Sequence, residues 1–417
     1  MAADNFGITI EQARKILLGL PQNRPTEEIS LTDATGRILS DDVIAASPLP
    51  PFARSPYDGY ALRGEDTVTA TEKEPVVLHI TEEIPAGKAP SRSVGPMECA
   101  KILTGAPIPE GANTTVKYEQ TAFDDQSVQI LHPLKPHRDI VPAGEDVAAG
   151  TKVGIRGSVV TPAVVGLLAA IGAARVRVYA RPQITVFSTG SELVDVDCTP
   201  GPAQIRNSNY YTIKSLLETQ GAFVPAHQTV SDDLDAIADA MKTALTQSQM
   251  VLTTGGASVG DYDLIPAALE RIGAALLFRK VSMKPGSAIL AGEFQGKLIL
   301  GLSGNPAAAM VGLYTVGMPY IRSLLGRSDT VFPSLRVLLR DGFDKASPQR
   351  RFLRGRLEIE DGTCYFRETG GQGNGTISSF VGCDLLADIP EGAPALPAGA
   401  AVSALYIGAA GLGEHAI

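Results

Sequence analysis

The chain has 417 residues, 44% hydrophobic and 19% charged, ordinary for a soluble globular protein but too long for one compact core. Two to four domains are therefore expected. A formal net charge of −9 excludes the broad basic surface through which nucleic-acid binders release counterions. Four scattered cysteines (Cys99, Cys198, Cys364, Cys383) argue against both a zinc ribbon and a disulfide framework.

The opening MAADNFGITIEQ lacks a basic region followed by an apolar core, so no signal peptide is expected and the location is read as cytoplasmic. Thr9 and Gln12 have capping-box spacing, and Ile10, Ala13, Ile16, Leu17 and Leu20 form one apolar face of a helix. Ile29 and Leu31 suggest a short strand. Ser47-Pro48-Leu49-Pro50-Pro51 is a stiff linker and a boundary. From Phe52 to about Glu145 short strands broken by turns replace this pattern, which reads as a β-rich domain inserted into the first unit. Gly144-Glu145-Asp146 returns the chain to that unit. Thr161-Pro162 starts a helix over 163–171, proline at its first position, and 175–179 reads as a strand. The run 159–178 is the most apolar of all, and Pro162 within it favours a buried helix over a membrane span.

From about residue 183 to 325 strands and helices alternate, implying a mostly parallel sheet with helices on both faces. Strand 183–187 leads into Ser188-Thr189-Gly190 and Glu192. A helix over 209–218 and a strand near 223–227 follow, and Ser231-Asp232-Asp233 caps the next helix. Strand 250–252 ends in Thr253-Thr254-Gly255-Gly256, with Ser258, Asp261 and Asp263 before another helix. Paired glycines allow positive φ and close approach of a ligand. Met283-Lys284-Pro285-Gly286 lies between two strands, and 297–300 runs into Gly304-Asn305-Pro306, where Asn305 caps a long closing helix. From Ser334 onward short alternating runs, with Asp361-Gly362 as a hairpin turn, predict a small antiparallel barrel.

Loops leaving the C-terminal ends of parallel strands share one edge of the sheet, and ligands bind there. That edge would collect Thr189, Gly190, Glu192, Asp232, the Gly255-Gly256 loop and Gly304-Asn305-Pro306, with Lys280 and Lys284 in a neighbouring segment. His227 sits at a strand end, and a lone histidine is more often structural. With no His or Cys in these loops, hard oxygen ligands point to Mg²⁺ and to chemistry on a phosphate or oxyanion.

The motifs LPPFARSPYDGYALRGED, KILTGAPIPEGA, GEDV, RPQITVFSTGSEL, IRNSN, GGASVGDYD, MKPG, GLSGNPAAA, FLRG and GGQGNG, in this order over nearly the whole chain, resemble the molybdopterin molybdenumtransferases, the MoeA and gephyrin E-domain family. The resemblance implies a multidomain α/β plus β protein: a split N-terminal dimerisation domain (1–50 and 145–180), an inserted β-rich domain (51–144), a three-layer α/β molybdopterin-binding domain (181–326) and a C-terminal small β-barrel (327–417). It implies catalytic roles for Asp58, Asp146, Glu192, Asp232 and Asp263, with Asp232 and Asp263 also on the metal. Substrate binding would fall to Thr104, Thr189, Gly190, Gly255, Gly256, Ser258, Lys280, Lys284, Gly304, Asn305, Pro306 and Arg354, the last across a subunit interface. The implied reaction is molybdenum insertion into adenylylated molybdopterin by a homodimer, with Mg²⁺-dependent release of AMP and molybdate as metal donor. Contact with the adenylyltransferase of the same pathway is a further implication. The adenylyltransferase reaction itself and a non-enzymatic scaffold role are the alternatives; the extra domains and the lack of a long N-terminal extension speak against them. The sequence departs from the family at Ser55-Pro56-Tyr57, Ser287, Ser303, Asn374 and Asn113, which leaves a tungstate preference open.

Overall fold

A computed structural model describes residues 6–225, 228–256 and 264–408. Its centre is a seven-stranded sheet in the spatial order Phe6–Ile8, Ala275–Val281, Leu290–Phe294, Lys297–Leu302, Met250–Thr254, Ile184–Thr189, Gln228–Val230. All neighbours are parallel except around Leu290–Phe294, which runs antiparallel to both of its partners. The sheet is thus mixed, because a tight Gln295-Gly296 turn joins two adjacent strands without a crossover helix.

Every residue of Met250–Thr254 is buried, and its side chains alternate between two cores. Met250 and Leu252 pack on one face with Ile184, Val186, Leu298 and Leu300; Val251 packs on the other with Phe187 and Ile299. A strand covered on both sides has no polar face to show, which is why this stretch reads as a continuous apolar run.

Four elements differ from expectation. Phe6–Ile8 pairs with Ala275–Val281, and Ile10, Ala13 and Leu17 of the helix Ile10–Leu18 join the core of the α/β sheet. The start of the chain therefore belongs to the α/β layer: the helix has an apolar stripe to bury, and the sheet offers an open parallel edge. Of the strand foreseen at 223–227, residues 226 and 227 lie outside the described residues; Phe223 makes an isolated bridge to Gln183, and the described ladder is Gln228–Val230. Pro225 in that stretch has no N–H to give to a ladder. The helix Pro162–Ala170 buries only Leu168 fully, although all nine of its residues are apolar or glycine.

The closing helix is interrupted. It runs Pro306–Gly312, widens into a π-helical turn over Leu313–Gly317, and resumes as Met318–Leu324. Pro319 explains the break, since it has no N–H for the carbonyl of Thr315 and its ring crowds that carbonyl. Arg14 Nε instead donates to Thr315 O at 2.6 Å.

The remaining units are β-rich. Thr26–Ser30 pairs with Arg175–Tyr179, and Val43–Ile44 with Lys152–Gly154, so segments on either side of the insertion are stitched together. The insertion is a six-stranded sheet in which Gly59–Leu62 lies between Thr114–Lys117 and Glu98–Ile102. Five strands, Ser334–Leu339, Thr363–Glu368, Arg351–Glu360, Leu385–Ile389 and Ala401–Tyr406, close the C-terminal barrel. Asp361 and Gly362, at φ 48° and 75°, make the tight turn between two of them.

Candidate functional site

The strands Ile184–Thr189, Gln228–Val230, Met250–Thr254 and Lys297–Leu302 run the same way, so the turns after them open on one edge. Gly255 and Gly256 have φ of +89° and +60°. A Cβ on Gly255 would lie 2.4 Å from Thr189 O, and one on Gly256 would lie 3.0 Å from the Ile265 side chain. No side chain fits between these strands, and only glycine lets the turn close here. A Cβ on Gly190 would meet both carboxylate oxygens of Glu192 within 2.8 Å, so that carboxylate folds back over its own turn.

Beneath the edge lies a row of hydroxyls. Ser188 Oγ is 2.8 Å from Thr254 Oγ1 and donates to Asn207 Oδ1 at 3.2 Å. The same Asn207 oxygen accepts from Tyr210 N and caps the helix Ser208–Thr219. Asn209 Nδ2 reaches across to Gly304 O at 2.8 Å. Asn207 and Asn209 thus tie three of the turns together; the IRNSN helix start was their only sequence signal. Thr189 Oγ1 is buried with no hydrogen-bond partner among the described residues, and it faces the space a Cβ on Gly255 or Gly256 would enter. An unmet buried hydroxyl costs about 1–3 kcal/mol, so it suits a group that a ligand completes.

Asp232 accepts the Ser191 N–H at 2.8 Å, which joins two of the turns, and the helix cap falls to Asp233. Asn305 stands at the helix start but its side chain makes no capping bond; its own N–H donates to Ser303 Oγ. Lys284 is exposed, after a strand that ends on this same edge. The following Gly286 presses on the closing helix, since a Cβ there would meet Ala308 O at 2.7 Å. Lys280 takes a left-handed backbone, φ +71°, unusual for a side-chain-bearing residue.

Asp58 and Thr104 form a separate pair in the inserted sheet. Asp58 Oδ1 accepts both the N–H and the hydroxyl of Thr104 at 2.7 Å, and these bonds hold its carboxyl below the usual range. Asp146 is exposed, its N–H on Leu49 O. Among the described residues no hydrogen bond or ion pair joins this group to the α/β edge. Nor does any cluster of three or more His, Cys, Asp or Glu there make a metal site. Ser258, Asp261, Asp263 and His227 lie outside the described residues.

Arg354 is expected at a subunit interface, facing an anion, but is fully buried inside its own chain. Its Nε donates to Ser379 Oγ and its Nη2 to the carbonyls of Gly371 and Gly373, while Gln372 pairs with its main chain on both sides. The guanidinium therefore shapes the Gly371–Gly375 loop from within. That loop reaches the α/β edge by itself, Asn374 O accepting from Ala308 N at 3.0 Å in the first turn of the closing helix. Burial pushes the guanidinium pKa down and raises that of the neighbouring Cys383 thiol to about 12.

One departure from the family motifs has a local reason. Asn113 Nδ2 donates to both oxygens of Glu65, and its Oδ1 accepts from Gly64 N. The aspartate frequent at this position in the family the sequence resembles could accept the second bond but would repel Glu65.

Three sequence profiles cover the chain: the MoeA N-terminal region (domain I and II) matches residues 8–172, a probable molybdopterin binding domain 185–323, and the MoeA C-terminal region (domain IV) 336–407. A molybdopterin molybdenumtransferase of Bacillus subtilis (strain 168) is 34% identical over 405 residues, 96% of this chain and 94% of that one. One from Staphylococcus aureus (strain MSSA476) is 33% identical over 393 residues, 94% of each. The crystal structure of a molybdopterin biosynthesis MoeA protein from Pyrococcus horikoshii OT3 superposes with a TM-score of 0.82 at 27% identity, covering 96% of this chain and all of that one. Full-length identity, domain order and architecture agree, and the chain belongs to the molybdopterin molybdenumtransferase (MoeA) family.

Proposed function

We propose that this chain inserts molybdenum into adenylylated molybdopterin, with Mg²⁺-dependent release of AMP. The observation that carries the reading is the Gly255-Gly256 turn. It closes so tightly on Thr189 that only glycine fits, beside a buried Thr189 hydroxyl with no partner among the described residues, on an edge that also bears Asp232, Glu192 and Lys284. Main-chain N–H groups at such a turn suit phosphate oxygens. The lysine would neutralise charge that develops as the phosphoanhydride bond to AMP is hydrolysed.

The donor set fits a hard divalent ion. Asp232 keeps one oxygen on Ser191 N–H and has another to offer, and Glu192 folds over the adjacent turn. Asp232 and Asp263 would hold Mg²⁺, which when bound supplies a Lewis acid at the phosphate. Molybdate, or tungstate in its place, is the substrate that accepts the dithiolene sulfurs. Lys280, Asn305 and Pro306 complete the pocket on this reading. Asp58, Thr104 and Asp146 serve it from the facing surface of a second subunit.

A homodimer is supported by the helix Pro162–Ala170. A helix apolar on all sides belongs in an interior, yet Ala163, Gly166, Ala169 and Ala170 are exposed. A second copy would cover them.

The test is to incubate the protein with adenylylated molybdopterin, Mg²⁺ and either molybdate or tungstate, measuring AMP and bound metal. AMP release that depends on Mg²⁺ and an oxyanion is expected, with Asp263→Asn lowering it by about two orders of magnitude or more. Release independent of both oxyanions would overturn the reading.

A further inference from the structure

The main chain of Lys284 is gripped by the barrel. Lys284 N donates to Arg350 O and Phe352 N donates to Lys284 O, both at 2.9 Å, forming a parallel bridge to the start of the strand Arg351–Glu360. On the other side Gly286 abuts the closing helix. Arg350 stands immediately before that strand. Its Nε and Nη2 make a two-point pair with Asp388 at 2.9 and 2.7 Å, within the barrel. Its Nη1 donates to Glu11 Oε1 at 2.5 Å, on the first helix, which packs against the α/β sheet. The guanidinium of Arg350 therefore joins the N-terminal helix to the barrel, while the main-chain carbonyl of the same residue holds the segment that carries Lys284. The fork geometry makes this specific to arginine, because an ammonium cannot serve a two-point carboxylate and a third group in one plane.

We propose that Arg350 is a positioning residue for the transfer reaction: with Glu11 and Asp388 it clasps the barrel to the α/β layer and so fixes the Lys284 main chain beside the site. This inference deepens the proposed function and rests on it for the catalytic consequence, but the clasp itself can be tested without turnover.

Two measurements separate the claims. Hydrogen exchange should show the Lys284 and Phe352 amides exchanging about tenfold faster in Arg350→Ala, with the core strand Met250–Thr254 unchanged. Asp388→Asn, which keeps the shape and removes the charge, should do the same to a lesser degree and serves if Arg350→Ala fails to fold. Kinetically, Arg350→Ala should lower kcat/KM for AMP release about tenfold in the native background and no more than about twofold in a Lys284→Ala background, because the two act through one group. Unchanged exchange at Lys284 in both variants would overturn the clasp, whether or not the protein turns over this substrate. Faster exchange with fully multiplicative kinetic losses would overturn its link to Lys284. Absence of turnover in the native protein would strike the proposed function and, with it, the kinetic part alone.

Discussion

Gly255 combines two constraints that are separable in principle: a left-handed backbone and no room for a Cβ. An alanine there would carry about 1–2 kcal/mol of conformational cost, and its methyl would still press on Thr189 O. Because that obstacle is backbone, the strand end must move. Gly255→Ala is therefore expected to destabilise the protein by about 2–3 kcal/mol and to remove most AMP release. Thermal unfolding and the release assay check this. A variant as stable and active as the native protein would show that the turn is not the cradle. Arg354 teaches the opposite lesson at the same scale. A guanidinium in a motif attracts an anion-binding reading; here Nε and Nη2 are taken by Ser379, Gly371 and Gly373, and the buried Nη1 has no partner among the described residues.

At the scale of elements, the first helix depends on the barrel, far away in sequence. Burial raises the Glu11 carboxyl pKa, but the Arg350 hydrogen bond and charge, together with a backbone hydrogen bond and the Arg14 charge, outweigh this, leaving it below its ordinary 4.5. A carboxyl with a depressed folded-state value contributes stability fully above the unfolded value. That contribution is lost as the pH falls through the folded one. Native protein should thus exceed Glu11→Gln in melting temperature at neutral pH, and the gap should close below about pH 4, in the window under the reference value. Melting curves of both proteins from pH 7 to pH 3 test this, and a gap that persists in acid would remove Arg350 as the cause. The effect is small, since the Glu11 side chain is 62% exposed and its pair is screened by water. The π-helical turn is the other element that local rules foretell only in part. Pro319 announces a break, whereas the donor that satisfies the Thr315 carbonyl, Arg14, lies 301 residues earlier.

For the whole molecule, the question is what covers the helix Pro162–Ala170. Its sequence alone reads as an interior helix, and the fold leaves most of it outside. Replacing Ala163 and Ala170 by glutamate puts charge on the exposed face without touching Leu168 or the core beneath it. On the proposed dimer, the expected result is a monomer by light scattering, folded by circular dichroism, with AMP release lost because Asp58 and Asp146 would no longer face the α/β edge of a partner. A dimer that survives the double substitution would show that the interface lies elsewhere.

Local chemistry made much of this protein legible from its residues. The capping box at Thr9 and Gln12, the Thr161-Pro162 helix start, the Asp361-Gly362 turn and the buried strand at Met250 all follow from short-range rules, and the structure contains each of them. The Gly, Ser and Thr turns at one sheet edge were readable for the same reason, since parallel strands bring their C-terminal ends together. What the tertiary structure alone decided involves partners distant in sequence: the N-terminal strand on the α/β sheet, Arg354 within its loop, Asn209 on Gly304, and Arg350 between Glu11 and Asp388. Periodicity and capping report which face a segment must bury and where it stops. They carry no record of which distant surface does the burying, because that choice is made by packing among segments whose local signals are alike.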